Sequence, residues 1–283
     1  MNMKPYQNLE LITRAIVFSA VIGLTGCATS THNEADASAK SSASSKPIKL
    51  SVEEKAELAK PADGGKSAVG APRDYSADWM PLEKWYDLHK EDVAIAEKGE
   101  ASIVFVGDSI TQGWPQDLLD EAFGPGETAN FGIGGDLTEN LVWRLENGAI
   151  GSLKPDVVVQ LIGINNFWDA PSAPAFIMNG IKRNTEILVD AYPDAEIMLL
   201  ALLPADLDRL RDRSLIDKLN QMIETYAGLR ANTHFRDHGQ VFLDANTQIK
   251  KNLMPDSLHP NRNGYEQWIQ PMREDVLELK NRS

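Results

Sequence analysis

The chain has 283 residues, of which 42% are hydrophobic, so it is long enough to fold around one large core or two small ones. Its formal net charge of -13 at pH 7 opposes nonspecific nucleic-acid binding, which depends on Lys and Arg neutralising phosphates. Composition therefore predicts a globular protein and argues against nucleic acid as a partner.

The first 26 residues have the pattern of a secretory signal peptide. Lys4 and Arg14 precede the apolar run "AIVFSAVIGLTG" (residues 15–26), which is short for a membrane span and typical of a signal-peptide core. The only cysteine, Cys27, follows at once and cannot form an internal disulfide. The segment "LTGC" resembles the bacterial lipoprotein signal, which implies cleavage before Cys27, lipidation of the new amino terminus and anchoring in the cell envelope. Ala28 stands where lipoproteins of the inner membrane often carry Asp, so the resemblance favours the outer membrane; a secreted protein with a free thiol is the alternative.

Residues 27–74 are rich in Ser, Ala and Lys and contain no aromatic residue from 28 to 72. Such a composition cannot bury enough apolar surface to form a core, so it predicts a disordered tether. A short helix within "SVEEKAELAK" is possible, although its apolar face is narrow. The predicted organisation is a signal peptide over 1–26, a tether over 27–74 and one folded domain over 75–283.

The folded domain is predicted to alternate helices and strands. It opens with the helical pattern "WMPLEKWYDLHKEDVAIAEKG", which ends on a glycine. Short, mostly apolar runs typical of buried parallel strands follow at 102–106, 127–131, 156–163, 196–203 and 240–244. Helical segments are predicted at 137–147, 173–191, 211–230 and 262–280. This order predicts right-handed crossovers and a three-layer α/β/α sandwich with a five-stranded, mostly parallel sheet, flavodoxin-like in architecture. Ligands of such folds bind at the carboxyl ends of the strands.

The stretch "VFVGDSITQGW" places a serine, Ser109, directly after the first predicted strand. At the start of a helix, backbone N–H groups and the helix dipole favour a developing negative charge, so the position suits a nucleophile. Serine is also a common helix cap. The tripeptide GDS alone therefore leaves both interpretations open.

Three further stretches follow predicted strands or precede the last helix. "NFGIGGD" places Gly134 and Gly135 where a backbone N–H can approach a substrate closely. "LIGINNFW" ends the third strand with two amides, and an amide side chain there can donate to an oxyanion. "DSLHPNRNGY" contains Asp256 three residues before His259, and the proline after His259 keeps this histidine in a loop. Each of these stretches is also consistent with an ordinary turn.

The four stretches in this order resemble the SGNH hydrolases, also called the GDSL esterase and lipase superfamily, over about residues 75–283. "NFGIGGD", "VWRLENG" and "IGINN" are particularly similar to the catalytic subunits of platelet-activating-factor acetylhydrolases and their bacterial relatives. The resemblance implies a serine esterase that needs no metal or organic cofactor. Its catalytic residues would be Ser109 as nucleophile, His259 as base and Asp256 as the partner of the base.

The resemblance also implies an oxyanion hole formed by Ser109, Gly135 and Asn165. Many members have Asp after the oxyanion asparagine, whereas this chain has Asn166, as the acetylhydrolase-like branch does. The motif "GDSIT" lacks the second glycine of G-x-S-x-G, which argues against the common α/β-hydrolase fold.

Substrate contacts are predicted from the side chains beside these motifs. The candidates are Trp114, Asn166, Phe167 and Trp168, whose aromatic members could form a sugar platform or an acyl pocket. Packing of the aromatic rings over the top of the sheet is the alternative. Trp143 and Trp268, on predicted helices, are expected in the core.

A metal site is the other chemistry considered. His234 and His238 are four residues apart, a spacing that binds zinc when the segment is helical. The segment "NTHFRDHG", however, is predicted to be a loop, and no third ligand is evident, so we expect no metal site.

The predicted reaction is removal of small acyl groups, such as acetyl, from an O-acetylated carbohydrate, because the resemblance favours a small acyl group and a surface-anchored enzyme meets glycans. A lipid esterase or lysophospholipase is the alternative within the enzymes. A catalytically inactive lipoprotein that binds glycan or an envelope partner is the alternative from another class.

Overall fold

The computed structural model describes residues 49–167, 173–206 and 213–282. Five strands lie within these ranges: β1 Ile103–Gly107, β2 Thr128–Gly132, β3 Val157–Leu161, β4 Glu196–Leu200 and β5 Thr233–Arg236. The helices there are α1 Val52–Leu58, α2 Leu82–Lys98, α3 Ser109–Gln112, α4 Gln116–Phe123, α5 Thr138–Arg144, α6 Pro174–Ala191, α7 Ser214–Ala227 and α8 Arg262–Lys280. In the described ranges, every helix is too short or too polar to cross a membrane.

The five strands form one parallel sheet in the order β2-β1-β3-β4-β5. Right-handed crossovers place the helices on both faces of such a sheet, and α5, α6 and α7 pack side by side while α4 packs on α8. Every residue of β1 and of β3 is buried, which explains why these runs are continuously apolar rather than alternating. The predicted three-layer α/β architecture is confirmed.

The fifth strand lies earlier in the chain than predicted. β5 begins at Thr233, which pairs with Ile197 of β4, whereas this stretch was expected to be a loop. The predicted strand 240–244 overlaps a 3₁₀ turn, Gly239–Phe242, instead. Phe242 is buried there against Trp268, at 5.5 Å between ring centroids. A short apolar run is buried in either conformation, so hydrophobicity alone does not distinguish strand from turn.

The folded part also begins earlier than the predicted boundary at residue 75. In residues 49–74, helix α1 starts with a capping box, in which the Ser51 hydroxyl accepts from the Glu54 N–H and the Glu54 carboxylate accepts from the Ser51 N–H. Leu58 is buried and α1 packs on α7, while the 3₁₀ turn Lys66–Ala68 packs on α6. The few apolar residues of this segment are enough to attach it to a preformed core, although they could not form one of their own. Residues 27–48 of the predicted tether lie outside the described residues.

Candidate active site

Ser109 lies at the carboxyl end of β1 because the chain turns sharply there. At Gly107, a Cβ atom would stand 2.2 Å from both the Leu161 carbonyl oxygen and Thr111 Oγ1, so only glycine allows α3 to approach the strand ends this closely. The Asp108 carboxylate accepts a hydrogen bond from the Ile110 N–H at 3.0 Å and caps the helix. Ser109 is thereby held as the first residue of α3.

Ser109, His259 and Asp256 form a continuous chain of hydrogen bonds. Ser109 Oγ lies 2.9 Å from His259 Nε2, and His259 Nδ1 lies 2.6 Å from Asp256 Oδ2. An ionised carboxylate can only accept, so Nδ1 carries the proton and Nε2 is the acceptor for the serine hydroxyl. This is the arrangement in which an imidazole can act as a base toward a serine.

The Asp256 loop keeps its carboxylate ionised. Partial burial raises the pKa of Asp256, but hydrogen bonds from the His259 N–H at 2.7 Å, the His259 ring and the Leu258 N–H at 3.0 Å outweigh it, so the pKa lies below its ordinary value. Ser257, between Asp256 and Leu258, is buried with a φ of 64°, an unusual conformation for a non-glycine residue. These contacts hold His259 in a defined loop rather than a flexible one.

Two predicted oxyanion donors line the same pocket as Ser109. Gly135 has a φ of 78°, and a Cβ atom there would lie 2.7 Å from Trp79 Cη2 and 2.8 Å from Arg73 Nη2, so both backbone conformation and space require glycine. The Asn165 amide nitrogen donates to the Asp136 carbonyl at 3.0 Å, which orients the amide and leaves its second proton for another acceptor.

The pocket has a volume of about 610 Å³, within the usual range for small-molecule sites. Ser109, Gly134, Gly135, Asn165 and His259 all line it, and Asp256 stands behind His259. The remaining lining residues were not anticipated from the sequence: Tyr75, Trp79, Met80, Lys84, Gln112, Leu137 and Leu258. Of these, Gln112 lies in the serine motif itself, and its side-chain oxygen accepts from the Gly134 N–H at 2.9 Å.

Three of the predicted substrate contacts are wrong. Trp114 is buried in the core, with its ring centroid 4.7 Å from that of Tyr265 and 4.8 Å from that of Trp268. Phe167 is also part of the core. Asn166 is buried as well, and Trp168 lies outside the described residues.

Asn166 has a structural position although it adjoins Asn165. Its amide donates to Glu139 Oε2 at 3.0 Å, and its carbonyl accepts from the Thr138 N–H at 3.0 Å. Two adjacent amides therefore differ in role because the 3₁₀ turn Asn165–Phe167 directs one to the pocket and the other to the start of α5.

A buried ionic network lies beneath the pocket. The Arg144 guanidinium donates to the Asp136 carboxylate at 2.7 Å and to the Asp92 carboxylate at 3.1 Å. It also donates to the carbonyls of Gly107 at 3.1 Å and Phe131 at 2.9 Å, at the ends of β1 and β2. One side chain thus connects the two loops that carry Ser109 and Gly135.

The two histidines considered for zinc have separate partners. His234 Nε2 lies 2.5 Å from Glu196 Oε2, whereas His238 Nε2 lies 2.7 Å from Asp275 Oδ2 and His238 Nδ1 accepts from Trp268 Nε1 at 2.9 Å. No group of three potential metal ligands occurs within residues 49–167, 173–206 and 213–282. Trp268 is in the core as expected, while Trp143 is only partly buried and packs on a second, smaller apolar cluster.

Comparison with known proteins places this geometry in a family. The GDSL-like Lipase/Acylhydrolase family matches residues 105–267. Platelet-activating factor acetylhydrolase IB subunit alpha1 of Homo sapiens is 32% identical over 185 residues, which cover 64% of this chain and 78% of the relative. Subunit alpha2 of Homo sapiens is 31% identical over 198 residues, which cover 70% of this chain and 85% of the relative.

Solved structures show the same fold. A structure from Streptococcus pneumonia, named as a platelet activating factor, superposes with a TM-score of 0.59 and 26% identity and covers 69% of this chain and 96% of its own. An acylhydrolase of Bacteroides fragilis superposes with a TM-score of 0.56 and 22% identity, and the match covers 72% of this chain and 100% of that structure. The matched range contains the predicted nucleophile, oxyanion donors, acid and base: Ser109, Gly135, Asn165, Asp256 and His259. The chain therefore belongs to the GDSL-like lipase/acylhydrolase family, the SGNH hydrolases, as an ester hydrolase of that type.

Proposed function

We propose that Ser109, His259 and Asp256 are the catalytic residues and that they hydrolyse an ester through an acyl-enzyme. His259 Nε2 takes the proton as Ser109 Oγ attacks the carbonyl carbon, and Asp256 stabilises the imidazolium. His259 then protonates the departing alcohol, and water repeats the cycle on the acyl-serine. The continuous hydrogen bonds of 2.9 Å and 2.6 Å carry this proposal.

The oxyanion of the tetrahedral intermediate would be bound by the Ser109 and Gly135 N–H groups and the Asn165 amide. In the described residues, neither N–H has a hydrogen-bond partner, so both are available to a substrate. A preorganised donor of this kind typically contributes about 10²- to 10³-fold in rate.

We further propose that the acyl group is small, acetyl first, and that the alcohol is a carbohydrate. The relatives named above are acetylhydrolases, which supports acetyl. A long-chain substrate calls for an extended apolar surface at the entrance. Among the described residues, however, the large exposed apolar side chains at the pocket are only Tyr75 and Trp79.

Hydrolysis of p-nitrophenyl acetate by the wild type and by Ser109→Ala tests the catalytic assignment. We expect the wild type to release p-nitrophenol and the variant to lose at least about 10³-fold in kcat/KM, since only the nucleophile is removed. Ser152→Ala is the matched control, because Ser152 is exposed and outside the pocket. Equal rates for the wild type and Ser109→Ala would exclude the mechanism, and inactivity of the wild type would favour an envelope-binding lipoprotein.

A lipid esterase or lysophospholipase is the second candidate, favoured by the family's description as lipases. An acyl series from p-nitrophenyl acetate to octanoate distinguishes the two. We expect kcat/KM to be highest for acetate, and a preference for octanoate would replace the deacetylase proposal with the lipid esterase.

Anchoring of the enzyme in the outer membrane through lipid on Cys27 remains a proposal, since Cys27 lies outside the described residues. In a bacterial host, Cys27→Ser should stop incorporation of labelled fatty acid into the protein, because the serine offers no thiol for lipidation. Continued incorporation of the label into the variant would contradict the anchor.

A further inference from the structure

An exposed aromatic surface borders the pocket and is formed by residues that precede the family match at 105–267. Trp79 is 60% exposed and Tyr75 43% exposed, and both line the pocket with Ser109 and His259. We call Tyr75 and Trp79 the aromatic wall. Large aromatic side chains left in solvent beside a reactive serine indicate a surface built for a ligand.

The aromatic wall stands on a rigid frame. Ala77 and Met80 exchange two backbone hydrogen bonds, of 3.2 Å and 3.0 Å, so Trp79 sits in a tight turn. Met80 is buried on one side of the turn. Farther along, the fully buried Trp85 donates from Nε1 to the Asp136 carboxylate at 2.6 Å. The exposure of Trp79 is therefore imposed by its neighbours and does not reflect a loose loop.

Arg73 links this wall to the predicted oxyanion loop. Its guanidinium carbon lies 4.9 Å from the Tyr75 ring centroid and 5.8 Å from that of Trp79. Arg73 Nη2 also donates to the Gly134 carbonyl at 2.6 Å. Because Arg73 is buried, it positions both rings next to Gly135 without itself reaching the substrate.

The charge of the pocket differs from that of the chain. The net charge is -13, yet the described residues that line the pocket include one lysine, Lys84, and no carboxylate. Lys84 is exposed in the first turn of α2, and no ion pair with it occurs among the described residues. The buried guanidinium of Arg73 is paired with the Asp136 carboxylate at 3.6 Å, so its charge is compensated. The exposed ammonium of Lys84 is then the charge that a ligand would meet, and it would repel a cationic group such as a quaternary ammonium. An anionic ligand is favoured.

We propose that Trp79, Tyr75 and Lys84 form the subsite for the alcohol part of the ester, and that this part is a sugar ring carrying an acidic group. The ring's C–H face would stack on Trp79, and the acidic group would pair with the Lys84 ammonium. The inference rests on the proposed esterase function and adds the substrate class, an O-acetylated acidic sugar.

Three substrates test the subsite: p-nitrophenyl acetate, which has no sugar, an O-acetylated methyl glucoside, which adds the sugar ring, and the corresponding O-acetylated methyl glucuronoside, which adds the acidic group. Trp79→Ala should lower kcat/KM for both sugars at least tenfold relative to p-nitrophenyl acetate, mainly through a higher KM. Trp79→Phe should restore most of that loss, because it keeps an aromatic face. Leu229→Ala is the control, since Leu229 is 50% exposed but outside the pocket.

The charge of the substrate is tested at Lys84. Lys84→Gln should lower kcat/KM for the glucuronoside severalfold relative to the glucoside, and Lys84→Arg should recover it. Increasing salt should weaken the wild type's preference for the glucuronoside.

The outcomes separate the two proposals. If p-nitrophenyl acetate is hydrolysed equally by the wild type and Ser109→Ala, the esterase mechanism fails. If that test succeeds but Trp79→Ala leaves the ratio of sugar to p-nitrophenyl acetate unchanged, or acetylcholine is preferred to the glucuronoside, only the subsite proposal is overturned.

Discussion

The pocket is built from two regions that differ in how strongly chemistry restricts their sequence. The loops that meet at the carboxyl edge of the sheet, which we call the strand-end loops, supply Ser109, Gly135, Asn165, Asp256 and His259. The atoms of these residues must meet around one reacting carbon. The segment before α2 and the first turn of α2 supply the aromatic wall, Tyr75 and Trp79, and the lysine Lys84. A flat apolar face with a nearby charge can be provided by many sequences, so this region carries no recognisable motif.

The two regions should therefore fail differently when they are altered. Changes in the strand-end loops should affect the hydrolysis of every ester, because the reacting atoms are common to all substrates. Changes in the amino-terminal segment should affect substrate choice or stability and leave the chemical step in place.

The largest effect is expected at Asp256. Asp256→Asn should lower kcat by about 10³- to 10⁴-fold on every acetyl ester, since an amide cannot stabilise the imidazolium and permits the wrong tautomer. The amide oxygen can still accept from the Leu258 and His259 N–H groups, so the loop is retained. Initial rates on p-nitrophenyl acetate measure the loss, with Asp194→Asn, an exposed aspartate outside the pocket, as control. A loss below tenfold would contradict the role of Asp256.

The adjacent amides provide a sharper contrast within the strand-end region. Asn165→Ala should lower kcat by about 10²- to 10³-fold with little change in stability, because it removes an oxyanion donor. Asn166→Ala should lower the free energy of unfolding by roughly 1–3 kcal/mol, because the buried Thr138 N–H loses its acceptor and the Glu139 carboxylate loses one donor. Rates and urea denaturation measured on both variants test this pair, and the reverse assignment of effects would contradict it.

In the amino-terminal segment, Leu58→Ala should lower the free energy of unfolding by about 3 kcal/mol, since Leu58 is buried where α1 packs on α7. Val52→Ala, in the same helix but 79% exposed, should change it by less than about 0.5 kcal/mol. Urea denaturation gives both values. If Leu58→Ala changed kcat on p-nitrophenyl acetate by more than a few fold, the separation of the two regions would be wrong.

The smallest effect that we expect is a pH dependence of the free energy of unfolding, caused by Asp108, the residue before Ser109. Burial raises the pKa of Asp108 to about 7; its hydrogen bond with Ile110 and the charge of Arg144 oppose the shift, and Asp136 adds to it. Between about pH 4 and 7 the unfolded chain releases this proton while the folded chain retains it, so stability falls as pH rises and the loss is complete above pH 7.

Asp108→Asn removes this titration. From pH 5 to pH 8, the variant should therefore gain roughly 2 kcal/mol in unfolding free energy relative to the wild type. Urea denaturation at the two pH values tests this, with Asp194→Asn as control, whose difference from the wild type should stay constant. A constant difference for Asp108→Asn as well would contradict the buried charge.

How far the sequence predicts this molecule depends on the range of the contacts involved. Buried parallel strands and the sharp turn at Gly107 leave local signals, so four of the five strands and the position of Ser109 were predictable. Thr233 and Phe242 were assigned to the wrong conformations, because whether a short run pairs with β4 or packs under α8 depends on residues far away in the chain.

By itself, the sequence determined the α/β architecture and the order of the strand-end motifs, because both arise from local hydrophobicity and from residue types that chemistry requires. Only the tertiary structure decided which neighbours face the pocket: Asn165 rather than Asn166, and Trp79 rather than Trp114. It also decided that residues 49–74 pack on the domain. Orientation and docking depend on side chains distant in sequence, and no local pattern encodes them.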